Sequence, residues 1–251
     1  MMSGFLTSTW QIALSAILPV AISVIFLIAE SREPLASRIR AWRGTREIDL
    51  TSLSILFGLF AALLVSDVWQ KANAAEQAVH EEGAAVRSLA HAARANGIEP
   101  LLFPRLKAYI TAASAEDPYS RESASGRGAA DVAYHDLLTA ITRVPGLETG
   151  VRQHMLQSAR DLLRAHDNRL YLANDATAPI KWFAILLFGT ITQVGLLLSH
   201  VEDRRTMRIN VALFTIAFAF CLIIIAIFDA PYDIAVPDEP GKTLSLALEG
   251  L

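Results

Sequence analysis

"SILFGLFAALLVSDVWQKANAAEQAVHEEGAAV", residues 54–86, begins as sequence that belongs in lipid and ends as sequence that belongs in water. No proline interrupts it, and no glycine falls between Leu59 and Glu82. The two residue types that most weaken a helix are thus missing where the character changes. The stretch predicts one helix that leaves a membrane and runs on as a charged stalk.

The surrounding chain agrees with a membrane reading. It has 251 residues, 53% of them hydrophobic, with a mean hydropathy of +0.38 and a net charge of −3. That charge balance argues against a nucleic-acid partner. The single cysteine, Cys221, lies in an apolar run, so it makes neither an internal disulfide nor a cysteine metal cluster. A membrane helix needs about 20 mostly apolar residues. Trp10–Ala29, Leu50–Trp69, Ile180–His200 and Val211–Phe228 meet that need and fall into two pairs. The first has no Lys or Arg ahead of it and is long for a signal peptide, so it reads as a retained anchor kinked at Pro19. The expected fold is all-α: an integral membrane protein with four transmembrane helices and an extramembrane helical bundle between spans two and three. The expected divisions are 1–69, 70–179, 180–229 and a C-terminal tail, 230–251.

Arginines set the expected orientation. Arg32, Arg38, Arg40, Arg43 and Arg46 follow the first span, and Arg204, Arg205 and Arg208 lie between the last two. Short connections rich in arginine stay in the cytoplasm. The N-terminus, the long middle region and the acidic tail "FDAPYDIAVPDEP" then lie outside.

The middle region reads as helices throughout. A break is expected at Gly97–Pro104, a loop at "EDPYSRESASGRG", and a helix at "AADVAYHDLLTAITRVPG" with Val132, Leu137, Leu138 and Ile141 as its apolar stripe. A longer helix from Leu147 to Asn174 buries Met155, Leu156, Leu162, Leu163 and Leu170. It returns toward the membrane, so the two long helices form a stalk with charge outside and Ala and Leu inside.

Several residues stand out as candidates. Ser54, Gly58, Ala62 and Ser66 recur every four residues, a stripe of small side chains on span two. The stripe lines a pore or packs closely on another helix, and in both cases it is expected to face the protein interior. Asp67 follows it near the outer end, as a pathway carboxylate or a solvated anchor beside Trp69 and Lys71. Asp229, ending span four, is read the same way, and two carboxylates at one mouth favour cations. Gln193, central in span three, needs a bundle partner or lines water. "HEEG" (His80, Glu81, Glu82) lacks the second histidine of a zinc helix, and His154 and His166 are not one turn apart. A solvated helical face is the expected account of these groups, with no metal, no cofactor and no catalytic residue.

Trp69, Ala72, Ala75, Glu76, Val79, Glu82, Val86 and Leu89 form a pattern that resembles the bestrophin-like bacterial membrane proteins, a family defined as a domain of unknown function. Arg169, Leu170, Pro179 and Trp182 resemble a second segment of that family, and Asp229, Pro231 and Tyr232 its closing Asp-x-Pro-aromatic motif. The resemblance runs from Leu53 over most of the chain. It implies kinship with bestrophins, pentameric anion channels in animals whose bacterial relatives conduct cations. It makes Trp69, Glu76, Asp229 and Pro231 mouth or structural motif residues. Bestrophins place the long middle region in the cytoplasm, and the arginines here place it outside. The leading expectation is a homo-oligomeric ion channel of a bacterial inner membrane, with span two lining the path and lipid and inorganic ions as its partners. The alternative is a membrane-anchored sensing or scaffold module whose outer helices bind a ligand or partner protein.

Overall fold

The computed structural model describes residues 2–31, 50–117, 128–175, 177–199, 203–229, 231–232 and 239–249. Arg32, Arg38, Arg40, Arg43 and Arg46, the loop 118–127 and the tail segment 233–238 lie outside the described residues. The described elements are all helices: α1 (Met2–Ser31), α2 (Leu50–Ala95), α3 (Glu99–Ala115), α4 (Ala129–Arg143), α5 (Thr149–Asn174), α6 (Pro179–Ser199), α7 (Arg204–Asp229) and α8 (Glu239–Glu249). They form two compact units. The apolar unit holds Met2–Gln70 and Thr177–Asp229, and the polar unit holds Lys71–Ala176 and Ala230–Leu251.

The opening stretch is helical without a break, inside a 46-residue α2. Its end has a local cause. Gly97 adopts φ +64°, Gly97 N–H donates to Arg94 O at 3.2 Å, and Ile98 N–H donates to Ala93 O at 3.0 Å. This is a Schellman stop, which needs the left-handed residue that glycine supplies. The expected break at Gly97–Pro104 is therefore shorter than its sequence suggested. α3 starts at Glu99 and carries Pro104 inside it. Pro100 stands in the first turn, where the N–H has no intrahelical partner anyway, and Pro104 removes only one further ladder bond.

In the apolar unit, Phe57, Ala61, Leu64 and Val68 of α2 pack with Ile185 of α6 and Phe218, Leu222 and Ile225 of α7. Phe57 meets Phe218 edge-on, centroids 5.5 Å apart. Among the described residues, three stretches hold helices long and apolar enough to cross a membrane: Thr51–Ala95, Thr149–Ser199 and Arg204–Asp229. The described apolar part of α1, Ile12–Ile28, is shorter. The Phe218 ring lies against Gly189, where an added Cβ would sit 2.5 Å from Phe218 Cε1. Carbon atoms prefer about 3.5–4.0 Å. Gly189→Ala should therefore destabilise the unit by about 1–3 kcal/mol, read as a lower thermal midpoint. An unchanged midpoint would mean that Phe218 moves aside without cost.

In the polar unit, alanines on α2 (Ala85, Ala90, Ala93) share a core with Leu102, Leu106, Leu137, Ile141, Met155 and Leu162. Such small residues let helices approach closely. Val132, expected in the stripe of α4, is exposed, because Ala130 and Tyr134 hold the buried positions instead. The helix ends are secured by side chains. Arg152 donates to Ile141 O at 3.3 Å and Val144 O at 2.7 Å, and Lys71 reaches Asp175 O at 2.9 Å after the last turn of α5. A cation at a helix C-terminus satisfies free carbonyls and opposes the helix dipole. The expected tail contains α8, whose Leu244 and Ala247 join this core. Gly83 lies under it, its added Cβ 3.0 Å from Thr243 Cγ2. The glycine in "HEEG" thus gives α8 room.

Candidate functional site

The small row of α2 faces away from the bundle. Ser54, Gly58, Ala62 and Ser66 are all exposed, and a Cβ added at Gly58 would meet no atom within 4 Å. Within the single chain the row is thus not packed against its own bundle. The reason is apolar area: Phe57 and Leu64 bury far more surface against α6 and α7 than serine or glycine would, so the bulky side of α2 turns inward. Ile55, Leu59 and Leu63 are also exposed, and they bound the small row with large apolar side chains.

Asp67 lies one residue past this row. Lys181 Nζ donates to Asp67 Oδ2 at 2.7 Å, and both side chains are about two-fifths exposed, at 38% and 41%. The carboxylate therefore acts with a cation beside it, a partner the sequence reading did not give it. Trp69 is half exposed and stacks obliquely on Phe228, centroids 5.1 Å apart, an aromatic pair of the type enriched at membrane interfaces.

Gln193 is wholly buried among α1, α6 and α7. Its Nε2 donates to Ser23 Oγ at 2.9 Å and lies 3.2 Å from Thr215 Oγ1 and 3.4 Å from Pro19 O. Ser23 and Thr215 are themselves 2.5 Å apart. Of the two possibilities left open for this residue, the geometry supplies the bundle partner. Such a polar knot inside apolar surroundings holds three helices in register.

Asp229 is buried and accepts a hydrogen bond from Thr177 N–H at 2.7 Å. It sits ahead of the first turn of α6, where a carboxylate matches the helix dipole. Its Oδ1 is thus turned to the protein backbone. Pro231 and Tyr232 are buried in the polar unit, and Tyr232 Oη donates to Ala75 O at 3.1 Å. Glu76 is exposed, 3.7 Å from His80.

The sequence reading missed the most polar feature of the polar unit. Glu82, expected on a solvated face, is wholly buried, and so are Arg169 and His166. Arg169 Nε donates to Glu82 Oε2 at 2.9 Å, and Tyr109 Oη donates to Glu82 Oε1 at 2.5 Å. Burial alone would push the Glu82 carboxyl up, but Arg169, His166 and Tyr109 together hold it below the usual carboxylate range. Burial and then Glu82 push the Tyr109 phenol well above its usual range, so Tyr109 remains a donor. One signal was legible. Glu82 lies three residues after Val79 and four before Val86, on the apolar face of α2. Among the described residues, no group of three or more His, Cys, Asp or Glu side chains is arranged to hold a metal.

The whole arrangement, a long helix with an apolar and a polar part followed by returning helices, has known counterparts. The Bestrophin-like domain matches residues 17–236. The chain belongs to the Bestrophin-like family. Its fold is that of two crystal structures of a bacterial bestrophin homologue from Klebsiella pneumoniae. The isoleucine-to-threonine mutant has a TM-score of 0.71 at 13% identity, covering 95% of this chain and 99% of that one. The leucine-to-threonine mutant has a TM-score of 0.70 at 14% identity, covering 95% and 98%. No curated protein matches the chain. At these identities the likeness establishes the bestrophin fold. The Bestrophin-like chain keeps a buried Arg169 and Asp229 at two places where the resemblance first drew attention.

Proposed function

We propose that copies of this chain assemble around an ion path lined by the small row of α2. One observation carries this reading: Ser54, Gly58, Ala62 and Ser66 are uncovered while the bulky side of the same helix is buried. Small, weakly polar side chains suit a narrow hydrated path, and the inward side of α2 is closed by Phe57, Phe218 and Leu222. Membership of the Bestrophin-like family supports it, since bestrophins are ion channels. In this reading α1 is a fourth span. The arginine-rich connections face the cytoplasm of a bacterial inner membrane, and the polar unit lies outside.

Asp67 and Lys181 stand at one end of the row and set the local charge together. Asp67→Asn should shift ion preference toward anions, and Lys181→Met should shift it toward cations. The pair is part exposed, so its loss costs at most about 1 kcal/mol of stability. Opposite shifts from stable variants would place the pair beside the path, and unchanged preference in both would remove it.

The test of the whole reading is flux through purified protein in liposomes, with anion and cation gradients applied separately. Flux from an oligomer supports it. A folded monomer, or an oligomer silent to both gradients, overturns it.

A further inference from the structure

The polar unit has a second meeting of polar side chains, outside its buried ion pair. Ser88 Oγ on α2 and Ser158 Oγ on α5 lie 2.8 Å apart, while Arg169 of α5 reaches Glu82 of α2. Residue numbers rise along α2 as they fall along α5, so the two helices run antiparallel across this seam. The serine contact fixes their register, and the register decides what meets one turn further on.

His91 is three residues after Ser88, and His154 is four residues before Ser158. Both steps lead the same way along the seam, by about 4.5 Å and about 6 Å. Three residues turn an α-helix about 60° short of a full turn, and four turn it about 40° past one. Seen from one end, His91 is rotated one way from Ser88 and His154 the other way from Ser158. Because the helices face each other, these opposite rotations carry both imidazoles to the same side of the seam. The structure agrees: both line one groove of about 600 Å³, together with Ser88, Asn96 and Gly150.

Two histidines one turn apart on a single helix hold a metal ion because their Cβ atoms are about 5–6 Å apart. Here two close-packed helices supply a comparable pair across their seam. Both side chains are exposed, and neither pairs with another described residue, so no existing bond must break for them to ligate. A Cβ added at Gly150 would meet nothing within 4 Å outside its own helix, so no side chain crowds the groove at the start of α5. Imidazole suits zinc, copper and nickel, whereas magnesium and calcium ask for oxygen ligands.

We propose that His91 and His154 form a site for one divalent transition-metal ion, which clips α2 to α5. The protein supplies two nitrogens, and water takes the remaining positions. Arg87 and Arg94 stand about one turn to either side on α2, and Arg94 is held over the Phe103 ring, 5.9 Å from its centroid. Salt screens exposed charges at that range, so they cost little beside two metal–nitrogen bonds. Only the folded unit holds the two imidazoles together, so the ion stabilises it by linkage. At a free concentration 100 times its dissociation constant, the ion should lower the unfolding equilibrium constant about 100-fold. The site belongs to the polar unit and stands whether or not the protein conducts ions.

The experiment uses the full chain in lipid nanodiscs at neutral pH, with Zn²⁺ as the probe and Mg²⁺ as the control. Equilibrium dialysis counts the bound ions, and thermal unfolding is followed with and without them. Wild type should bind one Zn²⁺ more than either His91→Ala or His154→Ala, and should gain a thermal stability that both variants lack. Mg²⁺ should give neither effect. Both positions are exposed, so without metal the variants should unfold as wild type does. The two changes together should cost no more zinc binding than either alone, because one imidazole cannot hold the clip. Zinc binding and stabilisation that survive either substitution, or that are absent from wild type, overturn the proposal.

Discussion

Arg169→Met should destabilise the polar unit by about 3–5 kcal/mol, a large part of what a domain of this size has. The methionine fills much the same volume, so packing is not what is lost. What remains is the Glu82 carboxylate, wholly buried and without its cation. Tyr109 alone cannot replace the guanidinium. The pH dependence should change as well. In the wild type Glu82 lies below the usual carboxylate range, so its contribution is full at neutral pH and is lost as acid protonates it. Without Arg169, burial dominates and raises the carboxyl, so stability should rise as pH falls toward mild acid. Adding Glu82→Gln removes the stranded charge and should recover at least half of the loss. A double variant no more stable than Arg169→Met would show that the two side chains do not act as a unit.

Gly58→Trp should abolish ion flux while leaving chain and assembly intact. Among the described residues nothing beyond the helix itself lies within 4 Å of a Cβ at this position, so the side chain starts out into open space. Its effect on stability should stay within about 0.5 kcal/mol, as for an exposed site. In a ring of copies the same ring would fill the shared axis several times over. Leu63→Trp, at an exposed leucine beside Leu56 and Leu59, is the matched control and should conduct. Normal flux through Gly58→Trp would remove α2 from the path. Loss of assembly would instead place Gly58 at a contact between copies.

The two experiments probe features of opposite legibility. The small row is visible as a period of four, but not which way it faces within the chain. A stripe of small residues packs equally well inward or outward, and only the competing side of the helix, with Phe57 and Leu64, decides which. The buried ion pair was invisible because its members are 87 positions apart. Glu82 sat among charged neighbours, and His166 and Arg169 belonged to a helix rich in charge. The place of Glu82 on the apolar face of α2 points to its being covered, but nothing local names the arginine that meets it.

What the sequence determined by itself was the chain's division of labour. Apolar length marked the three stretches long enough to cross a membrane among the described residues, and the missing helix breakers marked α2 as continuous. Pro145 and Gly146 marked the end of α4. These are local properties, set by backbone preference and by transfer from water within a few turns. Tertiary structure alone decided which face of α2 is covered, that α8 docks over Gly83, that Asp229 turns to Thr177, and that Glu82, His166, Arg169 and Glu116 share one buried place. Each depends on which distant surface offers more apolar area or the opposite charge, and that information exists only once the helices have met.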